Sequence, residues 1–249
     1  MPNQVEKEIG RIIKTIDRFY AMFGFKTSYV LATRPEKMLG EAADWDKAEN
    51  ALKKALDKSG IQYKVAAGEG AFYGPKIEAH LNDSQGRDWQ MGTAQLDLVM
   101  LPKQFEAYYI DEKGEKKMPW VIHRAIFGSF ERFIGVLLEH TDGKLPLWLS
   151  PIQVAILSIG ETQVKYAKSL AKKLEKAGIR VKLDDSGETI GKKIREAEIK
   201  RVPYSLIVGD KELQAKTVSV RHFIKGTLGE ETLNNFKKMV TKEIKEKSS

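Results

Sequence analysis

The chain has 249 residues, 42% apolar and 31% charged, a composition that fits one or two globular domains. No apolar run approaches the roughly 20 residues of a membrane-spanning helix, and the opening MPNQVEKEIG is too polar for a signal peptide. With no cysteine, disulfides, thiol catalysis and Cys-based zinc sites within this chain are excluded, which fits a reducing compartment. The net charge of +8 is unevenly placed. Residues 1–150 carry 21 Lys/Arg and 21 Asp/Glu, while residues 151–249 carry 21 and 13. A basic second part suggests either a polyanionic partner such as nucleic acid or a lysine-rich solvated surface.

In chain order, Ile9, Ile12, Ile13, Ile16, Phe19, Tyr20 and Phe23 recur at helical spacing, and Gly24 stands where a C-terminal cap would. TSYVLAT reads as a strand, and DWDKAENALKKALDKSG as an amphipathic helix stopped by Gly60. QYKVAAG, GPKIEAHLND and DWQMGTAQLDLVM have strand character, with DSQGR a turn between antiparallel neighbours and DEKGEKK another exposed turn. Ala125–His140 has an apolar helical pattern interrupted by a glycine and by the adjacent Glu131 and Arg132. The first part is therefore expected to be an antiparallel sheet with helices packed on it. TDGKLPLWLSP, residues 141–151, is the expected linker. Beyond it, VAILSIG, IRVKLDD, YSLIVGD and TVSVRHF are expected strands. They alternate with expected helices in ETQVKYAKSLAKKLEKAG, TIGKKIREAEIKR and LGEETLNNFKKMVTKEIKEK. Such alternation implies a sheet with parallel pairing, covered on both faces.

Three stretches resist a purely structural reading. In GEGAFYGPK the glycines let backbone approach a ligand, and Tyr73 and Lys76 offer a hydroxyl and a cation; the same residues also suit an ordinary turn. Gln90 and Gln95 are five apart on an expected strand, so they face opposite ways unless a bulge at Gly92 resets the register. The third is the Glu131-Arg132 corner, either a salt bridge on a core helix or an arginine carried into a site. His123 has no partner at ligand spacing and reads as a satisfied polar residue or an isolated metal ligand. No phosphate-binding loop, nucleophile elbow or dinucleotide fingerprint is present.

Taken together and in order, TRPEKMLG, GEGAFYGPKIEAHL, DWQMGTAQLDL, VIHRAIFGSFERFIGVLLEH, WLSPIQVAILSI, KIREAEIKRVPYSLIVGDKE and VSVR closely resemble the C-terminal half of the threonyl-tRNA synthetase family. The resemblance runs from about Val5 to the last helix. It implies an α/β chain with two parts. Residues 1–145 would be the C-terminal portion of a class II synthetase catalytic domain, an α+β antiparallel sheet. Residues 146–249 would be an α/β mixed-sheet anticodon-binding domain.

By the same resemblance, Gly128 to Arg132 look like motif 3 of class II synthetases. Arg132 would be the catalytic arginine that contacts ATP, with Gln90 and Ser129 also at the nucleotide. Tyr73, Lys76, Gln90, Gln95 and Ser129 would line the threonine and adenylate pocket. His123 would be one of three ligands of a zinc ion that binds the amino and hydroxyl groups of threonine, an interaction that valine cannot make. Glu212 and Arg221 would read anticodon bases. The implied activity is a threonine–tRNA ligase using ATP with Mg, tRNA(Thr) and threonine, cytoplasmic, homodimeric when complete, and with no membrane. In the family two zinc ligands and motifs 1 and 2 lie upstream of the matched region. The chain is thus expected to be a fragment, inactive alone and needing the N-terminal portion as partner. The alternative is a non-catalytic tRNA-binding accessory subunit or synthetase-like relic. Ser186-Gly187 stand where relatives often have Arg-Asn, a departure at an expected base contact, and Met91 stands where bacterial relatives often have cysteine.

Overall fold

The computed structural model describes residues 1–247 and separates into two compact units, Met1–His140 and Thr141–Ser249.

In the first unit, α1 (Val5–Ala21) buries Val5, Ile9, Ile12, Ile13, Ile16 and Tyr20, three or four residues apart, so one stripe faces inward. Gly24 follows at φ +77°, its N–H donating to the Ala21 carbonyl. Strand β1 (Thr27–Ala32) leads to α2 (Ala42–Ser59), which is stopped by Gly60 in the left-handed region at φ +67°. Then come β2 (Tyr63–Ala66), β3 (Lys76–Asn82), β4 (Asp88–Asp97), the short α3 (Met100–Gln104), the hairpin β5 (Tyr109–Ile110) and β6 (Lys116–Lys117), β7 (Val121–Ala125) and α4 (Phe130–Thr141). The main sheet has the order β2-β1-β3-β4-β7 and is antiparallel except for the parallel pair β1/β2. One face of it carries Tyr29, Leu31, Ile77, Ala79, Leu81, Ala94 and Leu96, all at most 3% exposed. Both α1 and the buried Trp45, Leu52 and Leu56 of α2 belong to this core. Each large apolar side chain taken fully out of water contributes about 1.5–3 kcal/mol, so this layer is what keeps the sheet folded. The other face is polar.

In the second unit, β8 (Val154–Ser158), α5 (Glu161–Glu175), β9 (Val181–Asp184), α6 (Ile190–Ile199), β10 (Tyr204–Val208), α7 (Asp210–Ala215), β11 (Thr217–His222), β12 (Gly226–Thr232) and α8 (Leu233–Glu246) follow. The sheet order is β12-β11-β10-β8-β9. Strands β9, β8 and β10 run parallel, while β11 is antiparallel to both its neighbours. Val154, Ile156, Leu206, Val218 and Val220 join α5 and α8 in one core. Ala155 and Leu157 join Ala197 of α6 in a second core on the opposite face.

Two expectations need correction. Ala125–His140 is not one helix: Ala125 ends β7, paired with Thr93, and the helix starts at Phe130. The glycine at 128, at φ +67°, breaks the apparent periodicity. The final helix does not begin at Leu228. Residues 226–232 form β12, paired along β11, and Thr232 caps the helix by accepting the Asn235 N–H. The expected linker, 141–151, begins where the two units divide but is itself packed into the second unit. Leu147 is 3% exposed in the α5/α8 core. Gln153 Nε2 donates to the Leu147 carbonyl at 2.9 Å, and the Arg180 guanidinium donates to the Trp148 and Ser150 carbonyls at 2.9 and 2.8 Å.

Candidate functional site

Strand pairing alone aligns three of the expected site residues. Lys76 on β3 pairs with Gln95 on β4, which pairs with His123 on β7, so the three side chains form a row across the polar face. Tyr73 joins them from the preceding loop. Its hydroxyl donates to Gln95 Oε1 at 3.2 Å, and its ring centroid lies 5.8 Å from that of His123. The loop reaches this position because Gly74 lets it press onto β4: a Cβ there would stand 1.6 Å from the Leu96 carbonyl oxygen. Gln95 is 8% exposed, and its Nε2 has no hydrogen-bond partner among the described residues. A buried donor left unmade costs about 1–3 kcal/mol. Such an atom at the floor of a polar face is suited to an acceptor brought by a ligand.

The register question for Gln90 resolves through a bulge. Ala79 pairs with Gly92 but His80 pairs with Gln90, which leaves Met91 as the extra residue. The extra residue turns Gln90 to the face that carries Thr93 and Gln95, and Gln90 Nε2 donates to Thr93 Oγ1 at 3.3 Å. Gly92 is needed beneath, where a Cβ would meet the Ile126 carbonyl at 3.0 Å and the Ala79 Cβ at 3.1 Å. Thr93 was not singled out from the sequence; once the bulge is known, the two-residue alternation from Gln95 finds it.

His123 Nε2 lies 3.3 Å from Asp97 Oδ2. The Asp97 side chain is fully buried and accepts the backbone N–H groups of Val99, Met100 and Leu101 at 3.2, 2.8 and 3.1 Å. A carboxylate fixed behind an imidazole orients the ring, as in many metal sites, and Asp97 too was missed in the sequence. Among the described residues no group of three His, Asp or Glu side chains converges to hold a metal. His123 with Asp97 behind it thus fits as a single ligand and does not make a site by itself.

The Glu131-Arg132 corner is not a salt bridge. Ser129 caps α4, its Oγ accepting the Arg132 N–H at 3.2 Å. Glu131 turns back to the helix start, where its own N–H and the Ser129 hydroxyl hold its carboxyl below the usual range. Arg132 reaches the other way. Its Nη1 donates to the Gln90 carbonyl at 3.1 Å, and its guanidinium carbon lies 5.9 Å from the Trp89 ring. Trp89 is held in turn by Asp83, which accepts its indole N–H at 2.9 Å. Arg132, with no acidic partner among the described residues, is an exposed cation docked beside Gln90. Gly128 makes this approach possible, since a Cβ there would lie 3.2 Å from the Met91 carbonyl.

Lys76 differs from Arg132 in being neutralised. Its Nζ lies 2.6 Å from Glu78 Oε1, and the chain continues from Glu78 to His80 at 3.1 Å and from His80 to Asp88 at 2.6 Å. A separate cavity of about 580 Å³, lined by Ser28, Tyr63, Lys64, His80 and Asp88, opens at the β2 end of this face. It does not include Gln95, His123 or Arg132.

In the second unit, Glu212 and Arg221 are not brought together. Glu212 follows the C-terminal end of β10 and accepts the Gly209 N–H at 2.8 Å, a cap for α7. Arg221 pairs with Ser205 near the start of β10. Its Nε and Nη2 lie 3.0 and 2.9 Å from Glu198 Oε1 of α6, and Nη1 donates to Thr227 Oγ1 at 3.4 Å.

Comparison with known proteins gives a consistent picture. Residues 1–141 match the tRNA synthetase class II core domain (G, H, P, S and T), and residues 153–243 match the anticodon binding domain. The chain is 51% identical over 248 residues to a threonine–tRNA ligase of Acetivibrio thermocellus, covering 100% of this chain and 39% of that protein. It is 50% identical over 246 residues to that of Clostridium novyi, covering 99% and 38%. The crystal structure of the RNA binding domain of threonyl-tRNA synthetase from Cryptosporidium parvum superposes with a TM-score of 0.90 at 41% identity, over 98% of this chain and 61% of that one. The chain thus spans about two-fifths of the length of the curated relatives it matches.

Proposed function

Because the chain belongs to the class II tRNA synthetase core family and continues into an anticodon-binding domain, we propose that it acts as the C-terminal portion of a threonine–tRNA ligase. The catalytic portion is assigned to residues 1–145 and the anticodon-binding domain to residues 146–249. The observation that carries the reading is the convergence of Tyr73, Gln95 and His123, with the buried Gln95 Nε2 still lacking an acceptor.

In the proposed reaction a threonine carboxylate oxygen attacks the α-phosphate of ATP, forming the adenylate and displacing pyrophosphate. A tRNA ribose hydroxyl then attacks the threonyl carbonyl of the adenylate and gives up its proton, and AMP leaves. Gln95 would donate its free N–H to the amino acid or adenylate, and Tyr73 would wall the pocket. Gln90, tied to Thr93, would present its remaining polar atoms to the nucleotide. Arg132 supplies a permanent planar cation that can stack on a base and offset phosphate charge as pyrophosphate departs. Ser129 acts through the helix cap that sets the position of Arg132. Lys76, held by Glu78, would contribute as a shaped wall of the pocket more than as a free charge. His123 would donate one of three ligands to zinc, which when bound would coordinate the threonine amino and hydroxyl groups and so favour threonine over valine.

Arg221 and Glu212 are assigned to anticodon bases. The Glu198 pair would orient the Arg221 fork, and Glu212 would offer its uncapped oxygen. Partners are tRNA(Thr), ATP, threonine and the remainder of the enzyme, as a cytoplasmic homodimer. No helix of the described residues is long and apolar enough to cross a membrane. The accessory or relic reading is not favoured by matches that extend over the whole chain.

The test is recombination of this chain with an N-terminal portion from a relative, assayed by threonine-dependent pyrophosphate exchange. Activity is expected only in the mixture. A mixture that assembles but never exchanges pyrophosphate would overturn the proposal.

A further inference from the structure

The charge surplus of the second unit has a definite address. Lys165, Lys168, Lys172 and Lys176 are exposed and follow one another three or four residues apart on α5 and its C-terminal cap. They form a stripe about 16 Å long. On α8, Lys238, Lys242 and Lys245 form a second exposed stripe with Lys237 beside it. Among the described residues, only Lys168 and Lys242 of these eight have an acidic partner, Asp185 at 3.1 Å and Glu246 at 3.9 Å. Glu243, which could have balanced α8, is turned inward to accept the Tyr204 hydroxyl at 2.8 Å.

Both helices pack on the sheet face formed by Val154, Ile156, Leu206, Val218 and Val220. Arg221 lies on the other face. It pairs with Ser205, which in turn pairs with Ala155 of the α6 core. An anion held by the lysine stripes is therefore separated from Arg221 by the thickness of the sheet.

We propose that the outer surface of α5 and α8 is a second RNA-binding face, one that holds backbone phosphates on the side of the sheet away from Arg221. The inference rests on the proposed tRNA-binding role of this unit and adds a surface to it. Lysines three or four apart on a helix stand about 5–6 Å apart, so several can engage successive phosphates of one strand without reading sequence. A membrane surface fits less well, because a membrane-lying helix needs an apolar face to insert. Here Phe236 and Val240 of α8 and Leu170 and Leu174 of α5 are spent on the core.

The experiment titrates the full chain with tRNA(Thr) transcripts, wild-type and with altered anticodon bases, at several salt concentrations. The variants are Lys172→Gln/Lys238→Gln/Lys242→Gln/Lys245→Gln and, separately, Arg221→Gln. The quadruple variant is expected to bind every transcript more weakly by the same factor, with the log–log salt slope reduced by about 0.7–0.9 for each phosphate it no longer neutralises. Arg221→Gln is expected to erode discrimination between anticodons and to change the slope by no more than about 1.

An unchanged slope in the quadruple variant overturns the second face even where anticodon discrimination persists. Loss of discrimination in the parent, with the slope still sensitive to the lysines, overturns the anticodon reading and leaves this face standing. A parent chain that binds no transcript at about 50 mM salt overturns both. Vesicles of phosphatidylserine and phosphatidylcholine form the third arm. If the lysines govern vesicle binding and not the RNA slope, the surface serves a membrane and the proposal fails.

Discussion

The Tyr73 hydroxyl donates to one end of the Gln95 amide and leaves the other end, Nε2, buried with no partner among the described residues. One side chain thus contains both a positioning hydrogen bond and an unmet donor. That pattern separates a prepared binding surface from a well-packed core, where both ends would be satisfied.

Replacing Gln95 with Met removes the unmet donor while keeping the volume, and it also removes the weak, 3.2 Å acceptor of the Tyr73 hydroxyl. We expect the isolated chain to gain about 1 kcal/mol, read as a rise of about 2–4 °C in thermal midpoint. The recombined enzyme is expected to lose threonine-dependent exchange. A midpoint that drops by a similar amount would mean that the hydrogen bond from Tyr73 outweighs the unmet donor.

Two glycines separate close approach from conformational freedom. A Cβ at Gly74 would lie 1.6 Å from the Leu96 carbonyl oxygen, so Gly74→Ala must push the Tyr73 loop off β4. It is expected to cost more than about 3 kcal/mol. Gly60 has φ +67° and nothing within 4 Å of its missing Cβ, so Gly60→Ala is expected to cost only about 1 kcal/mol. Urea denaturation of both variants checks the order; equal losses would refute the close-approach argument.

Arg132→Lys keeps the charge but loses the planar fork that lies beside Trp89 and the Gln90 carbonyl. In the recombined enzyme the KM for ATP is expected to rise about tenfold, equivalent to about 1.4 kcal/mol, with little change in the KM for threonine. Equal effects on both substrates would show that Arg132 acts on the whole site and not on the nucleotide.

Burial, with a smaller contribution from Lys225, lowers the pKa of His222. The geometry agrees: Nδ1 accepts the N–H groups of Ile224 and Lys225 at 3.2 and 3.3 Å, which requires an unprotonated nitrogen. The folded pKa lies below the unfolded value near 6.5, so between the two the unfolded chain binds more protons. Stability contributed by His222 is therefore fully present above about pH 6.5 and is lost progressively as the pH falls towards the folded pKa. The protection of amides in the turn between β11 and β12, corrected for the intrinsic pH dependence of exchange, should fall below about pH 6.5, and His222→Gln should remove that fall. A parent turn whose protection is flat from pH 7.5 to about 5 would refute the assignment.

Much of the framework was legible because it depends on local rules. The stripe from Ile9 to Tyr20, the stops at Gly24 and Gly60 and the DSQGR turn all appear in the structure where the sequence implied them. Segments decided by distant pairing were harder. Residues 228–231, Leu-Gly-Glu-Glu, look like a helix start, yet the ladder to β11 claims them as strand. Ala125 continues an apolar helical period by coincidence and is held in β7 by Thr93. In the candidate site, Tyr73, Gln95, His123 and Arg132 could be named from motif resemblance, but Thr93 and Asp97 could not be picked out. Thr93 depends on the register, and Asp97 depends on the way α3 folds back onto its carboxylate. Glu212 was assigned only to anticodon bases, whereas one of its oxygens is occupied in capping α7.

The extra residue at Met91 makes the arrangement of the polar face a matter of counting as well as of chemistry. Ironing out the bulge in the same sequence, so that Gln90, Met91 and Gly92 alternate as a regular strand, would retain every side chain named for the site and still turn Gln90 towards the α1 and α2 layer, away from Thr93 and Gln95. A related chain could therefore carry all the recognisable letters at the same spacing and lack the pocket, through the loss of one bulge in a single strand. When such chains are compared, a spacing of five across a bulge is equivalent to four on a regular strand, so the spacing between Gln90 and Gln95 is diagnostic only together with the bulge.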